Sequence, residues 1–169
     1  FKGTGVWGDI DRDGDLDIIV SGIENWTQPI TRFYLQTGNH EFVCSNITIP
    51  YADFHNSMDI GDYNNDGLPD LLIGNIIFRN QGNLVFGQIL ISSRGKFIDY
   101  DNDGDLDVVG SQVHRNDGNN VFMNTGISLS GYWADFNNDG LIDLFSQGEI
   151  LINNGGGSFL SAASVGFAY

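Results

Sequence analysis

The stretch DIDRDGDLD, residues 9–17, places five aspartates in nine positions around one glycine and leads directly into the apolar run Ile18, Ile19 and Val20. Carboxylates at this density repel one another unless a cation lies between them. The same pattern occurs three more times, as DYNNDGLPD at 62–70, DYDNDGDLD at 99–107 and DFNNDGLID at 135–143. All four stretches fit D-x-[DN]-x-D-G-x-x-D, so the sequence predicts a chain of four repeated units.

Each of these stretches, named loops 1 to 4 in chain order, is a candidate calcium site. The alternating oxygen-bearing side chains are expected on the concave side of a tight turn, where the sixth-place glycine takes a positive φ. Oxygen ligands without His or Cys suit a hard cation, and a flexible loop with several carboxylates suits Ca²⁺ better than Mg²⁺. We therefore predict four Ca²⁺ sites. The alternative is four acidic hairpin turns without an ion, which a phased fourfold repeat disfavours.

The predicted ligands are the side chains at the first, third, fifth and ninth places and the backbone carbonyl at the seventh. In loops 1 and 2 they are Asp9, Asp11, Asp13, Asp15 (carbonyl) and Asp17, then Asp62, Asn64, Asp66, Leu68 (carbonyl) and Asp70. In loops 3 and 4 they are Asp99, Asp101, Asp103, Asp105 (carbonyl) and Asp107, then Asp135, Asn137, Asp139, Leu141 (carbonyl) and Asp143.

Composition supports the role of the loops as ligands. The chain has 22 acidic and 7 basic residues and a formal charge of −15, and 16 of the acids lie in the four loops. Four bound Ca²⁺ ions would bring that charge to −7, which favours ligand supply over disorder as the reason for the acidity. With no basic stripe, nucleic acid is not an expected partner. No apolar run approaches the length of a membrane span.

The spacing of the loops predicts the domain organisation. Their first aspartates are 53, 37 and 36 residues apart, and each loop is followed at fixed phase by a hairpin motif that ends in an aromatic residue: QTGNHEF at 36–42, NQGNLVF at 80–86, NDGNNVF at 116–122 and NNGGGSF at 153–159. No stretch has a helical period, so the chain is predicted to be all-β. Four short antiparallel strands in a repeat of about 40 residues are typical of a β-propeller blade.

We expect one domain over 1–169, with repeats at about 1–50, 51–90, 91–126 and 127–163 and a further blade beginning at 164–169. Because the chain opens at Phe1 without a signal-like segment, we expect a processed or excised piece, most simply a segment of a larger propeller. The alternatives are a small ring closed by the last strand and pairing of that strand with another copy of the chain. Open strand edges predict self-association.

The paired loop and N-x-G-x-x-x-F motifs resemble the FG-GAP and VCBS repeats of integrin alpha-subunit-like propellers and many secreted bacterial proteins. The resemblance covers nearly the whole chain and is closer to the VCBS form, because the FG-GAP dipeptides are poorly kept. It implies loops that join the innermost strand of each blade to the next strand and hold Ca²⁺ near one face. It also implies an extracellular or cell-surface module for adhesion or for binding a protein or glycan ligand. Some members of the family bind sugars or belong to polysaccharide lyases.

The alternative function is therefore carbohydrate binding, or an accessory or catalytic part of a polysaccharide-active enzyme. Catalysis by this segment is not expected, because it has no nucleophile elbow, zinc motif or phosphate loop and most of its carboxylates are predicted ligands. An EF-hand is excluded because the twelfth place of each loop lacks the bidentate Glu.

Several side chains outside the loops also carry predictions. Trp7 and Trp133, two residues before a loop, are expected to fill the core between blades. Trp26 and Tyr51, in the longer connections of the first unit, are expected to be exposed partner contacts. Cys44 is expected to be a small buried residue in an apolar strand.

Overall fold

A computed structural model describes residues 2–25, 27–38, 40–53 and 57–164. The described chain contains sixteen strands and no helix, so the all-β prediction is confirmed. The strands of the first half are β1 (Lys2–Gly8), β2 (Asp17–Glu24), β3 (Gln28–Gln36), β4 (Phe42–Ile49), β5 (Met58–Gly61), β6 (Asp70–Ile73), β7 (Ile76–Asn80) and β8 (Phe86–Leu90). Those of the second half are β9 (Gly95–Ile98), β10 (Asp107–Gly110), β11 (Val113–Asn116), β12 (Phe122–Asn124), β13 (Tyr132–Ala134), β14 (Asp143–Ser146), β15 (Glu149–Asn153) and β16 (Phe159–Ser164).

These strands form four separate four-stranded sheets, in each of which every strand pairs antiparallel with its neighbours in the chain. We name the sheets blade 1 (β1–β4), blade 2 (β5–β8), blade 3 (β9–β12) and blade 4 (β13–β16). The arrangement agrees with the predicted propeller-like blades. Ser164 lies in β16 and 165–169 lie outside the described residues, so the further blade expected at 164–169 remains a prediction.

The apolar residues that follow each loop bury one or both faces of the second strand. Ile19, Leu71, Leu72, Val108 and Leu144 are all fully buried. Three apolar clusters lie at the successive contacts between blades 1 and 2, 2 and 3, and 3 and 4. The core therefore lies between the blades, and each blade depends on its neighbour for burial.

The first strands of adjacent blades approach closely where the sequence supplies glycine. A Cβ atom on Gly61 would lie 2.8 Å from Leu106 Cδ1, and one on Gly8 would overlap Ile60 Cδ1. Because only glycine leaves room there, the neighbouring side chain can reach over the strand. This contact brings the loops of successive blades next to each other.

The predictions for tryptophan had different outcomes. Trp133 packs edge to face on Phe159, with ring centroids 6.0 Å apart, against the core between blades 3 and 4, as expected. Trp7 is 60% exposed, so the prediction that it fills a core is wrong. The cause is its position on the face of blade 1 that points away from blade 2. Trp26 lies outside the described residues.

Two further predictions in the first unit are wrong. Cys44 is exposed, because β4 is the edge strand of blade 1 and Cys44 lies on the same outer face as Trp7. Tyr51 is half-buried against Phe78, with ring centroids 5.8 Å apart, and its hydroxyl donates to Asn75 Oδ1 at 3.3 Å. It therefore belongs to the core between blades 1 and 2 rather than to a free surface. Within the described ranges, no helix is long and apolar enough to cross a membrane.

Candidate metal centre

The four loops occupy equivalent places in their blades. Each loop joins the first strand of its blade to the second, so loop 1 lies between β1 and β2 and loop 4 between β13 and β14. The loops are held at both ends by the same antiparallel pair of strands. A common backbone therefore presents all four sets of candidate ligands.

The turn geometry confirms the predicted role of glycine. The sixth-place residues have left-handed φ angles: Gly14 95°, Gly67 83°, Gly104 95° and Gly140 90°. The fourth-place residues are also left-handed, which the sequence analysis missed: Arg12 65°, Asn65 56°, Asn102 61° and Asn138 59°. Asparagine tolerates this conformation better than other non-glycine residues, so its presence in three of the four loops was the available signal.

The first aspartate of each loop is fixed by the backbone of the turn. One of its carboxylate oxygens accepts the N–H of the sixth-place glycine, at 3.1 Å from Gly14 to Asp9, 2.7 Å from Gly67 to Asp62, 3.1 Å from Gly104 to Asp99 and 3.0 Å from Gly140 to Asp135. This hydrogen bond fixes the first carboxylate against the backbone of the turn. The position of the first candidate ligand is thus set by the turn itself.

The ninth aspartate of each loop is completely buried. One of its oxygens accepts the N–H of the second loop residue and the other accepts the N–H of the residue that opens the hairpin motif. In loop 2, Asp70 accepts Tyr63 N at 3.3 Å and Asn80 N at 2.7 Å, and in loop 3, Asp107 accepts Tyr100 N at 3.0 Å and Asn116 N at 2.8 Å. This residue fastens the loop to its own blade in addition to its predicted role as a ligand.

Burial dominates the electrostatics of the Asp17, Asp70 and Asp107 carboxyls. It raises the pKa of Asp70 and of Asp107 to about 7, and it raises the pKa of Asp17 above its usual range. Hydrogen bonds from the backbone amides partly offset that effect because they favour the charged form. A nearby cation would favour ionisation of the same groups.

The hairpin motif contributes a contact that the sequence analysis missed. The side-chain amide of Asn80 donates to the Ile10 carbonyl at 3.0 Å, that of Asn116 to the Tyr63 carbonyl at 2.8 Å, and that of Asn153 to the Tyr100 carbonyl at 2.9 Å. Each accepting carbonyl is at the second place of the preceding loop. We name this contact the interblade amide bond, and the signal for it was Asn at the start of three of the four hairpin motifs.

Loops 1 and 3 bring three carboxylates together. Oxygens of Asp9, Asp11 and Asp17 lie within 4.8 Å of one another, and so do oxygens of Asp99, Asp101 and Asp107. Burial and the neighbouring carboxylates raise the pKa of Asp11 and of Asp101. Among the described residues, the buried Asp9 Oδ1 and Asp101 Oδ1 have no hydrogen-bond partner. Buried carboxylate oxygens without a partner are costly, so both loops fit a cation.

Loops 2 and 4 differ because the third place is asparagine. Asn64 Nδ2 donates to Asp66 Oδ2 at 3.0 Å, and Asn137 Nδ2 donates to Asp139 Oδ2 at 2.7 Å. Arg79 also lies 3.4 Å from Asp66 Oδ2. The carboxylate at the fifth place is thus partly satisfied within the loop. These loops still offer three carboxylates each, with an amide oxygen as the fourth side-chain ligand.

The fifth aspartate has the same place in all four loops. Its Oδ1 accepts the N–H of the seventh residue at 2.8–2.9 Å, in Asp13, Asp66, Asp103 and Asp139 alike. The ligand roles of the fifth aspartates and of the carbonyls of Asp15, Leu68, Asp105 and Leu141 remain predictions.

Comparison with known proteins identifies the repeat. The model of the FG-GAP-like repeat matches residues 9–73, a range that begins at loop 1 and ends with β6 of blade 2. Over this range the match confirms the resemblance to FG-GAP-like repeats. No curated protein and no solved structure matched the chain.

Proposed function

We propose that this chain, which carries FG-GAP-like repeat sequence at residues 9–73, is a calcium-binding module of the β-propeller type for adhesion or protein binding outside the cell. The observation that supports calcium most directly is the pair of buried carboxylate oxygens, Asp9 Oδ1 and Asp101 Oδ1, that have no partner among the described residues. Each belongs to a loop whose carboxylates converge. An oxygen-only donor set on a flexible turn suits Ca²⁺.

The proposed role of the ion is structural. The side chains at the first, third, fifth and ninth places would hold it, and it would supply positive charge between carboxylates that otherwise repel. In the unfolded chain the same carboxylates separate, so binding to the folded state stabilises it. The ninth aspartate of loop 2, Asp70, also accepts the backbone N–H of Asn80, whose side chain makes the interblade amide bond. The ion would therefore reinforce contacts between blades as well as within them.

The affinity expected for the loops is the basis for proposing an extracellular location. The twelfth place, where an EF-hand has its bidentate Glu, holds Val20, Ile73, Gly110 and Ser146. We therefore expect Kd values of about 10⁻⁴ to 10⁻³ M, the class of extracellular modules. Such sites fill outside cells and stay mostly empty in cytosol. Binding at sub-micromolar Kd would contradict this part of the proposal.

Glycan binding is the second candidate, and one cavity favours it. A cleft of about 570 Å³ between the first strands of blades 3 and 4 is lined by Tyr132, Trp133, Lys96 and Asp59. Aromatic rings next to a few polar groups are the usual lining of a small-ligand site. A glycan array with the wild-type chain and a Tyr132→Ala variant tests this candidate. Saccharide-specific retention that the variant loses would support it, and no retention by the wild type would reject it.

We propose no catalytic role for this segment. His114 is buried, and its ring nitrogens lie 2.6 Å from Ser92 Oγ and 3.3 Å from Ser93 Oγ, so it is packed within blade 3. The acids of the loops bond to backbone amides of the turns. A polysaccharide-degrading activity of the wild-type chain would overturn this view.

Calorimetry tests the calcium proposal directly. Protein stripped with a chelator should take up Ca²⁺ at four sites, and Asp13→Ala or Asp103→Ala should remove the local site alone. Glu149→Gln is the matched control, because Glu149 is an exposed acid on β15 outside the loops. No uptake of Ca²⁺ by intact loops would overturn the proposal.

A further inference from the structure

Two arginine side chains lie against loop 2. Arg79 Nη2 is 3.4 Å from Oδ2 of Asp66, the predicted fifth-place ligand. Arg12, at the fourth place of loop 1, lies over the turn of loop 2, where a Cβ atom on Gly67 would be 3.6 Å from Arg12 Nη1. Loop 2 has three aspartates, so these two of the chain's seven basic residues offset most of its negative charge.

The strand pattern explains why Arg79 reaches the loop. Side chains alternate between the two faces of β7, so Arg79 shares a face with Ile77, which is buried in the core between blades 2 and 3. At the loop end of this contact between blades, a cleft of about 220 Å³ has Arg79, Asp66 and Asp105 in its lining. The arginine is therefore positioned by the packing of blade 2 on blade 3, next to the predicted ligands of loop 2.

The residue at the place of Arg79, directly before the hairpin motif, differs between the blades. In blades 1, 3 and 4 this place holds Leu35, Arg115 and Ile152. Arg115 Nε donates to Asp117 Oδ1 at 2.7 Å, which lies outside loop 3. Among the described residues, Arg79 with Asp66 is the only ion pair that includes a predicted calcium ligand. Loop 2 is therefore the loop in which a side chain of the protein already pairs with such a ligand.

Loop 4 separates the effect of this arginine from the effect of the third-place asparagine. Asp139 Oδ2 accepts the Asn137 amide, just as Asp66 Oδ2 accepts the Asn64 amide, so the two loops share that bond. Asp139 forms no ion pair within the described part of the chain. A fixed positive charge repels a divalent cation that binds beside it, so Arg79 should lower the affinity of loop 2 for Ca²⁺.

We infer that Arg79 is a built-in counter-cation of loop 2, with Arg12 as a weaker second one, and that it stabilises the loop without Ca²⁺ and opposes binding of the ion. This inference rests on the calcium sites proposed above. Its consequence is an order of filling in which loop 2 binds Ca²⁺ after loop 4, although both have asparagine at the third place. The side chains of Arg79 and Asp66 are 38% and 29% exposed, so solvent and salt limit the effect to about threefold to tenfold in Kd.

Calorimetry of a chain with loop 2 as its single intact site tests the inference. In this parent chain the fifth aspartates of the other loops, Asp13, Asp103 and Asp139, are replaced by alanine. Arg79→Gln should lower the Kd of loop 2 for Ca²⁺ by about threefold to tenfold, whereas Arg79→Lys, which keeps the charge, should leave it close to the parent value. Arg115→Gln is the matched control, because Arg115 holds the same place in blade 3, and it should not change the Kd of loop 2.

A second measurement distinguishes a counter-cation from a side chain that merely packs near the loop. In EGTA, urea denaturation should show Arg79→Gln to be less stable than the parent, because three carboxylates then lose their positive neighbour. The same substitution should therefore tighten Ca²⁺ binding and weaken the ion-free fold. Arg12→Asn places at this position the residue that the other three loops have there, and it should lower the Kd by a smaller factor.

The possible failures of the two proposals can be told apart. Far-UV circular dichroism checks that each variant folds, and Arg12→Asn tests the effect of charge without a change in β7. A Kd that Arg79→Gln leaves unchanged or raises would overturn the inference and leave the calcium sites in place. An equal gain in affinity from Arg79→Lys would also overturn it, because charge would then not be the cause. No uptake of Ca²⁺ by the wild-type loops would overturn the proposed calcium sites and this inference together.

Discussion

Loops 1 and 3 have an aspartate at the third place, whereas loops 2 and 4 have an asparagine, so the side chains differ in one terminal atom. Asp11 and Asp101 present carboxylates that converge with two other acids, and each loop keeps one buried oxygen without a partner among the described residues. Asn64 and Asn137 instead donate an N–H to the fifth aspartate of their own loops. The exchange of a carboxylate oxygen for an amide nitrogen thus decides whether the third-place side chain adds a converging carboxylate or donates to the fifth aspartate of its own loop.

The backbone is the same in both pairs of loops. The sixth-place glycine has a φ between 83° and 95° in all four, and its N–H always donates to the first aspartate. The difference between the pairs is therefore one of charge and hydrogen bonding rather than of chain geometry. We expect Ca²⁺ to bind loops 1 and 3 more tightly than loops 2 and 4, because ligand charge tunes affinity.

The largest expected effect is loss of stability on chelation. At a hundredfold excess of Ca²⁺ over Kd, each independent site should stabilise the folded chain by about 2.7 kcal/mol. The melting temperature should fall in EGTA, recover with Ca²⁺ and respond little to Mg²⁺, whose strict octahedron fits these loops poorly. The double variant Asp11→Asn, Asp101→Asn should lose most of the response that the wild type shows at limiting Ca²⁺.

Glu149→Gln is the control for this measurement and should keep the full response to EGTA. A melting curve that chelation leaves unchanged, with removal of metal confirmed by elemental analysis, would leave all four loops as acidic turns. Equal losses from the double variant and from Asn64→Ala, Asn137→Ala would remove the proposed difference between the pairs.

The second largest expected effect is a loss of stability that distinguishes the buried ninth aspartate from the exposed predicted ligands of the loop. Both oxygens of Asp70 and Asp107 accept backbone N–H groups. In Asp70→Asn or Asp107→Asn, the new side-chain N–H₂ would face one of those N–H groups, and two donors would then oppose each other. We expect a cost of about 1–3 kcal/mol in the free energy of unfolding, with Ca²⁺ or with EGTA. Urea denaturation under both conditions measures it.

Asp103→Ala is the matched comparison, because Asp103 is exposed and bonds only within its turn. It should cost stability in Ca²⁺ and little in EGTA. If the ninth-place variants lost stability only in Ca²⁺, their role as backbone acceptors would be secondary to ligation.

The sequence predicted the features that neighbouring residues determine. The four repeats, the four-stranded units and the positive φ at Gly14, Gly67, Gly104 and Gly140 follow from turn chemistry and from the alternation of apolar residues. All of these depend on interactions within one unit. The local sequence pattern is therefore sufficient to predict the four-stranded blade and the turn of each loop.

What the sequence could not predict depends on a second blade. Trp7 and Trp133 occupy equivalent places two residues before a loop, yet among the described residues only Trp133 has a preceding blade to pack on. Cys44 lies in an apolar strand but at an edge that nothing described covers. The interblade amide bond joins residues such as Asn80 and Ile10 that are 70 positions apart, so no short motif contains both partners.

Exchanging the third-place residues should exchange the affinities of the loops. Asn64→Asp should tighten Ca²⁺ binding at loop 2 and Asp101→Asn should weaken it at loop 3, each by about tenfold, which is ~1.4 kcal/mol. Calorimetry of single-site chains, in which the fifth aspartates of the other three loops are replaced by alanine, measures each Kd. Exchanges that leave both Kd values unchanged would show that the third place does not set the difference.

The smallest expected effect comes from a titrating group outside the loops. Burial lowers the pKa of His114 below its usual value of 6.5, so the unfolded chain takes up the proton before the folded chain does. The stability that neutral His114 gives is present above pH 6.5 and is lost as pH falls below it. Its ring faces Ser92 and Ser93, which carry no charge, so the loss should be the same in Ca²⁺ and in EGTA.

The measurement is the difference in melting temperature between the wild type and His114→Gln, taken from about pH 7.5 to about pH 5.5. That difference should narrow or change sign as pH falls, because only the wild type meets the cost of keeping the imidazole neutral. Protonation of the loop carboxylates contributes equally to both chains and cancels. A difference in melting temperature that does not change with pH would contradict this role of His114. A pH dependence that disappears in EGTA would instead place the acid sensitivity in the loops. The titration of loops 1 and 3 could then be compared with that of loops 2 and 4.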